Sequence, residues 1–253
     1  MTAVVIIPAR YDSTRFPGKL LYPLKGKPII QYVYENSKQS DLAQDVIIAT
    51  DSRTILNEVN AFGGKAVMTD IKHPSGTDRI AEVAASLNYD IIVNVQADEP
   101  LIRPEMIDEV ITLLEDSRAS IGTLANKIDN WEEILDPNTV KVIFDKDWFA
   151  IYFSRAPIPY HRDEWRNLSE IQNSKFKIQK IYKHIGIYSY RKDILLSLTK
   201  MKQTPLEKIE KLEQLRAIET GLKIKIKETI FKTHGVDTPE DLERVEKCLN
   251  TSL

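Results

Sequence analysis

The chain has 253 residues, 42% of them hydrophobic and 28% charged, with a formal net charge of -2 and a single cysteine. A chain of this length buries a sizeable core, as one large α/β domain or two small ones. Its near-neutral charge argues against a general nucleic-acid binder. The lone Cys248 excludes an intramolecular disulfide and a cysteine-rich zinc site, and no stretch reaches the roughly 20 apolar residues of a membrane span. Val4–Ile7 is too short for the apolar core of a signal peptide and charged residues follow it. The expectation is a cytoplasmic protein with no membrane and no nucleic-acid partner.

In chain order, Val4-Val5-Ile6-Ile7 reads as a fully buried parallel strand that stops at Pro8. A loop with three cations follows, Arg10, Arg15 and Lys19. It lies at the carboxyl end of the strand, where open α/β sheets place ligands, and its charge suits a polyanion such as a nucleoside triphosphate. It is not a Walker loop, which needs glycine where Ser13 stands and a hydroxyl residue where Leu20 stands.

Ile29, Ile30, Val33 and Tyr34 recur at helical spacing after Pro28. Val46–Ala49 is the second buried strand, and Thr50-Asp51-Ser52 can cap a helix running to about Asn60. Lys65–Met68 is a third strand. His73–Arg79 is a loop opening a helix that runs through Ser86. Asp90–Val95 is the next strand, with Gln96-Ala97-Asp98-Glu99-Pro100 at its end and a helix from Pro104 to Leu114. This alternation indicates parallel βαβ units.

The second half reads differently. Val140–Phe144 and Ala150–Phe153 pattern as strands joined by a hairpin-like turn, and residues 157–177 as an irregular excursion facing a subunit partner. Lys183–Tyr190 is a strand, and Pro205–Thr220 one strong helix with Leu206, Ile209, Leu212, Leu215 and Ile218 on its apolar side. Ile224-Lys225-Ile226 alternates as an exposed strand, and Pro239 opens the final helix. No linker divides the halves. The expected organisation is one domain over residues 1–253, with a smaller subregion at about 125–190.

Three groups of residues could carry chemistry. Asp98 and Asp237, far apart in sequence, could hold a divalent cation against phosphate oxygens; alternatively Asp98 serves a turn and Asp237 caps the final helix. Ser75-Gly76-Thr77-Asp78-Arg79 could grip a phosphate, or simply form a capped helix start. Arg155, His184, Glu213 and Gln214 stay undecided on local pattern. No nucleophile elbow, zinc-protease helix or dinucleotide-binding glycine pattern occurs.

Taken together, IPARYDSTRFPGK from Ile7, GKPII from Gly26, ATD at Ala49–Asp51, SGTDR from Ser75 and NVQADEP from Asn94 resemble the CMP-Kdo synthetases, cytidylyltransferases that activate 3-deoxy-manno-octulosonate (Kdo). YFSRAPIP from Tyr152, KHIGIYSYR from Lys183, LEKIEKLEQLR from Leu206 and GVDTPEDLERV from Gly235 extend the resemblance over essentially the whole chain. The resemblance implies an α/β fold with a mixed, mainly parallel sheet flanked by helices, of the nucleotide-diphospho-sugar transferase type. It implies Mg²⁺-dependent transfer of CMP from CTP to Kdo with release of pyrophosphate, for lipopolysaccharide biosynthesis, by a homodimer.

By the same resemblance, Pro8, Ala9, Arg10, Arg15, Lys19, Ser75, Gly76, Arg79 and Gln96 hold the nucleotide. Gln96, Arg155, His184, Tyr188, Glu213 and Gln214 face the sugar acid. Asp98 and Asp237 carry the metal and, with Lys19, the catalysis. The sequence departs from the common family pattern at Ala97, Lys183, Ser189 and Thr233-His234. Rival readings are the same reaction on 8-amino-Kdo, CMP-sialic acid synthesis, and a non-catalytic nucleotide-binding regulator.

Overall fold

The β-branched run at the start of the chain forms β1 (Ala3–Ala9), whose residues are buried on both faces. In the computed structural model, which describes residues 1–11, 16–162, 165 and 180–251, β2 (Pro23–Leu24), β3 (Lys27–Pro28) and α1 (Ile29–Ser37) follow. Next come β4 (Ala43–Thr50), α2 (Arg53–Ala61), β5 (Ala66–Met68), α3 (Gly76–Ala85), β6 (Ile91–Asn94) and α4 (Pro104–Thr112). The second half holds β7 (Ile121–Lys127), α5 (Trp131–Leu135), β8 (Lys141–Phe144), β9 (Ala150–Ser154) and β10 (Tyr182–Arg191). It ends with α6 (Lys192–Leu198), α7 (Pro205–Glu210), α8 (Gln214–Glu219), β11 (Ile224–Glu228) and α9 (Pro239–Thr251).

The main sheet runs β11-β7-β10-β6-β1-β4-β5, and β8 joins β10 to β9. Along that path β10 alone is reversed, antiparallel to both β6 and β7. Alternate residues of β1 feed two cores. Val5 and Ile7 pack with Val33 of α1, Val59 of α2 and Val110 of α4, while Val4 and Ile6 pack with Ile80 of α3, Leu195 of α6 and Leu215 of α8. Helices therefore cover both faces, as the parallel strands require.

Several elements differ from the sequence expectation, α6 among them, which the sequence reading leaves out. β1 passes through Pro8 to Ala9, which pair with Ala49 and Thr50 of β4. The ladder to β6 has already ended at Ile6, so the missing N–H of Pro8 falls where no strand needs it on that side. β7 and α5 are absent from the sequence reading: IGTLANK neither alternates nor forms an apolar run, yet Thr123 and Asn126 are buried within it.

The expected long helix from Pro205 splits into α7 and α8 at Lys211, whose φ of 54° ends the first helix in the left-handed region. Ile209, placed on the apolar side by helical periodicity, is instead 77% exposed. The split is held by a buried ion pair, Arg216 Nη2 to Glu207 Oε1 at 2.5 Å. It leaves Glu213 and Gln214 at the start of α8, turned toward the sheet's ligand end.

Candidate active site

Gly76 lets the chain approach closely: a Cβ there would stand 3.2 Å from Cγ of Pro8, tight enough that one of them would have to give by a few tenths of an ångström. The close approach seats the first turn of α3 on the end of β1. Ser75 is the helix N-cap, its Oγ accepting from the Asp78 amide at 3.1 Å and donating to Asp78 Oδ2 at 2.6 Å. Pro8, Ala9, Ser75 and Gly76 thus meet at one strand end. Arg10 joins them through a hydrogen bond from Nη2 to the His73 carbonyl. Arg15 lies outside the described residues.

Arg79 does not present a free cation. Its side chain is fully buried, donating to Asp51 Oδ2 at 2.5 Å and to the Thr69 hydroxyl. It ties α3 to the end of β4, so a grip on phosphate by its guanidinium is corrected to a scaffold role. Burial and a carboxylate within reach decide this, and neither is visible in SGTDR.

Gly18, with φ 70°, turns the chain into a short 3-10 turn that buries Leu20 and points Lys19 inward. Lys19 Nζ donates to Asp98 Oδ2 at 2.6 Å, Asp237 Oδ1 at 2.9 Å and the Val236 carbonyl at 2.8 Å. Its three donors are therefore all used. Burial works against this charge, but the two carboxylates outweigh it and raise the ammonium's pKa above its ordinary value.

Asp98 sits in the turn after β6, and Asp237 arrives from the C-terminal segment. That segment is anchored by Val236, Leu242 and Val245, which pack on Leu24 and Ile29, and by the Val236 amide on the Asp98 carbonyl at 2.8 Å. Asp237 does not cap α9. Thr238 and Asp241 do so reciprocally, the Asp241 amide donating to Thr238 Oγ1 at 3.3 Å and the Thr238 amide to Asp241 Oδ2 at 3.0 Å.

The Asp98 and Asp237 side chains are 30% and 44% exposed, so both carboxylates gather around one positive centre while staying reachable. Such an oxygen pair fits a hard divalent cation completed by substrate oxygens. Among the described residues no group of three or more His, Cys, Asp or Glu forms a metal cluster.

Gln96, Tyr188, Glu213 and Gln214 line one cavity of about 160 Å³. Thr77, Asn94 and Tyr190 complete its polar wall. Tyr188 reaches it through an irregularity in β10, where the pairing with β7 jumps from Ile185–Leu124 to Tyr188–Thr123. Thr123 Oγ1 supports this bulge at 3.1 Å from the Ile185 carbonyl and 2.7 Å from that of Ile187. Burial raises the Glu213 carboxyl's pKa against the pull of Thr77 and Ser75 hydrogen bonds. Burial and the Glu213 charge push the Tyr188 phenol well above its ordinary range.

His184 and Arg155 stand outside that cavity. The His184 ring packs on Tyr188 and Phe153, and its Nε2 lies 3.0 Å from Thr123 Oγ1. The threonine hydroxyl also lies 2.7 Å from the Ile187 carbonyl, and burial lowers the imidazole pKa to about 3. His184 packs behind Tyr188 and also lines the wider cleft that holds Glu99 and Gly235. Arg155 Nε donates to the Glu210 carbonyl at 2.6 Å and its Nη1 to the Pro137 carbonyl at 2.9 Å. A guanidinium after an apolar strand here ties backbone carbonyls together.

Two further residues escaped the sequence reading. Glu99 lines a wider cleft of about 500 Å³ beside Gly235, where burial and the Asp98 charge push its carboxyl up to about 7. Asn94 is a buried amide inside an apolar strand, legible only as the one polar letter in IIVNV.

A strand end carrying Arg10, a lysine shared by two carboxylates and a polar cavity lined by Gln96 fit the site of a nucleotidyltransferase. Residues 4–226 match the family model for cytidylyltransferases. A 3-deoxy-manno-octulosonate cytidylyltransferase from Thermodesulfovibrio yellowstonii is 51% identical, with 99% of each chain covered. One from Geotalea uraniireducens is 52% identical over 97% of this chain and 98% of its own. A solved CMP:2-keto-3-deoxy-manno-octonic acid synthetase, in complex with CTP, aligns with a TM-score of 0.89 at 41% identity and covers 100% of both chains. The chain belongs to the cytidylyltransferase family, among the 3-deoxy-manno-octulosonate cytidylyltransferases. No helix among its described residues is long and apolar enough to cross a membrane.

Proposed function

We propose that the protein transfers CMP from CTP to the anomeric hydroxyl of Kdo, releasing pyrophosphate and giving CMP-Kdo for lipopolysaccharide biosynthesis in the cytoplasm. The observation that carries this reading is the convergence of Lys19 with Asp98 and Asp237 beside the cavity of Gln96, Tyr188, Glu213 and Gln214. The full-length likeness to named Kdo cytidylyltransferases supports it.

CTP lies with its base and ribose near Pro8, Ala9, Ser75 and Gly76 and its phosphates near Arg10, Arg15 and Lys19. The sugar hydroxyl attacks the α-phosphorus, and pyrophosphate leaves in line beside the Lys19 ammonium. Transfers of this kind depend chiefly on positioning and on fixed charge at the phosphoryl oxygens. Asp98 and Asp237 would hold Mg²⁺, which would supply positive charge against the phosphates. Glu213 and Gln214 orient the sugar, and Tyr188 closes its cavity with His184 behind it.

We place a homodimer interface on the subregion at about 125–190. Ile151 and Tyr160 there are 54% and 58% exposed, large apolar surfaces for a free face. Of the 157–177 excursion, residues 157–162 and Trp165 fall within the described part. Sedimentation of the purified protein tests the dimer.

Pyrophosphate release from CTP, measured with Kdo, 8-amino-Kdo and a sialic acid, tests the reaction. Release with Kdo is expected. Release only with 8-amino-Kdo or only with sialic acid reassigns the sugar, and CTP binding with no release from any of them makes the protein a nucleotide-binding regulator.

A further inference from the structure

Asn94 closes β6 directly opposite Tyr188 of β10, so their side chains share the cavity face of the sheet. Asn94 is 3% exposed, yet among the described residues its Oδ1 has no hydrogen-bond partner. Buried amides are nearly always satisfied on both atoms, so an orphan here calls for an explanation. Thr77, Tyr190 and Glu213 line the same cavity, and Asn94 brings its unpartnered amide oxygen to that wall, left for whatever fills the cavity.

The chemistry of that occupant follows from the wall. Among the described residues no lysine or arginine lines the cavity, and Glu213 does, so an anionic group is disfavoured there. Turning the amide over exchanges an unpaired acceptor for an unpaired donor, and a hydroxyl satisfies either. We infer that Asn94 is a specificity residue for the sugar, taking a hydrogen bond from one hydroxyl of its polyhydroxyl chain. This rests on the reading of the second substrate as a Kdo-type sugar acid.

The test varies Kdo and its monodeoxy analogues in the pyrophosphate assay for the wild type, Asn94→Leu and Asn94→Ser. CTP binding is followed separately by calorimetry and folding by thermal unfolding. Asn94→Leu keeps the volume and removes the hydrogen bond; Asn94→Ser covers the case in which leucine disturbs the sheet. The expected result is a fall of about 10- to 100-fold in kcat/KM for Kdo, the effect of one lost hydrogen bond in a buried site, with CTP affinity unchanged. One monodeoxy analogue should be penalised in the wild type and not further penalised in the variant.

An unchanged kcat/KM for Kdo in folded variants overturns the assignment, as does an equal penalty for every analogue in wild type and variant. Wild-type protein that releases no pyrophosphate with Kdo overturns the reading of the sugar as well, which separates the two failures.

Discussion

Lys19 Nζ sits 2.6 Å from Asp98 Oδ2, and the same ammonium also holds Asp237. Two carboxylates that carry a cation in the proposed reaction are thus already paired with a cation of the chain itself. Lys19→Met should release them. Its turnover should fall at least about 100-fold, the scale of one lost charge-stabilising donor. Its affinity for Mn²⁺ without nucleotide should rise, because metal and ammonium compete for the same oxygens. Electron paramagnetic resonance of free Mn²⁺ reads this, and weaker binding in the variant would contradict the competition.

Gly76 and Pro8 set the nucleotide end. Gly76→Ala places a methyl 3.2 Å from Pro8 Cγ, so the first turn of α3 must move by a few tenths of an ångström. KM for CTP should rise severalfold while KM for the sugar stays put. Equal changes in both constants would show a general distortion instead.

The Glu207–Arg216 pair holds the break that presents Glu213 and Gln214. Both partners are buried, with side-chain exposures of 5% and 8%, and Arg216 Nε adds a second bond to Glu207 at 2.9 Å. Removing one partner of such a pair leaves a buried charge, and Glu207→Gln should cost about 3–5 kcal/mol in chemical denaturation. The surviving folded fraction should show a raised KM for the sugar.

His184 makes a prediction about pH. Burial depresses its pKa to about 3, whereas an unfolded histidine titrates near 6.5. Between those values the unfolded chain binds the extra proton, so this residue's contribution to stability falls as the pH drops from about 6.5 toward 3. Its slope approaches about 1.4 kcal/mol per pH unit. His184→Gln should flatten the stability profile across that window, and an unchanged slope would show that the imidazole does not titrate on unfolding.

Much of this architecture was legible before any coordinates. The runs at Val4–Ile7, Val46–Ala49 and Ile91–Val95 declare buried strands because parallel strands need apolar residues on both faces. The chemistry at their ends then follows from sheet topology. β7 was invisible because its buried polar residues answer distant partners: Thr123 props the bulge in β10, and the Asn126 amide donates to the Thr229 carbonyl. Arg79 and Arg155 show a related limit. A guanidinium beside a ligand site and one tying down buried acceptors have the same local sequence, and only the partner 28 or 55 residues away distinguishes them. At Asp237 the sequence leaves a helix cap open as an alternative, and the structure puts Thr238 and Asp241 at the cap of α9.

The central claim is that Lys19, Asp98 and Asp237 form the reacting end of a CTP:Kdo cytidylyltransferase, and Asp237→Asn tests it most directly. Pyrophosphate release should be measured at limiting Mg²⁺ with saturating CTP and Kdo, beside thermal unfolding of the same sample. The account predicts a folded protein, since Asp237 does not cap α9, with turnover reduced about 100-fold or more and partly recovered by excess Mg²⁺. Near-normal turnover of the variant at limiting Mg²⁺ would contradict it.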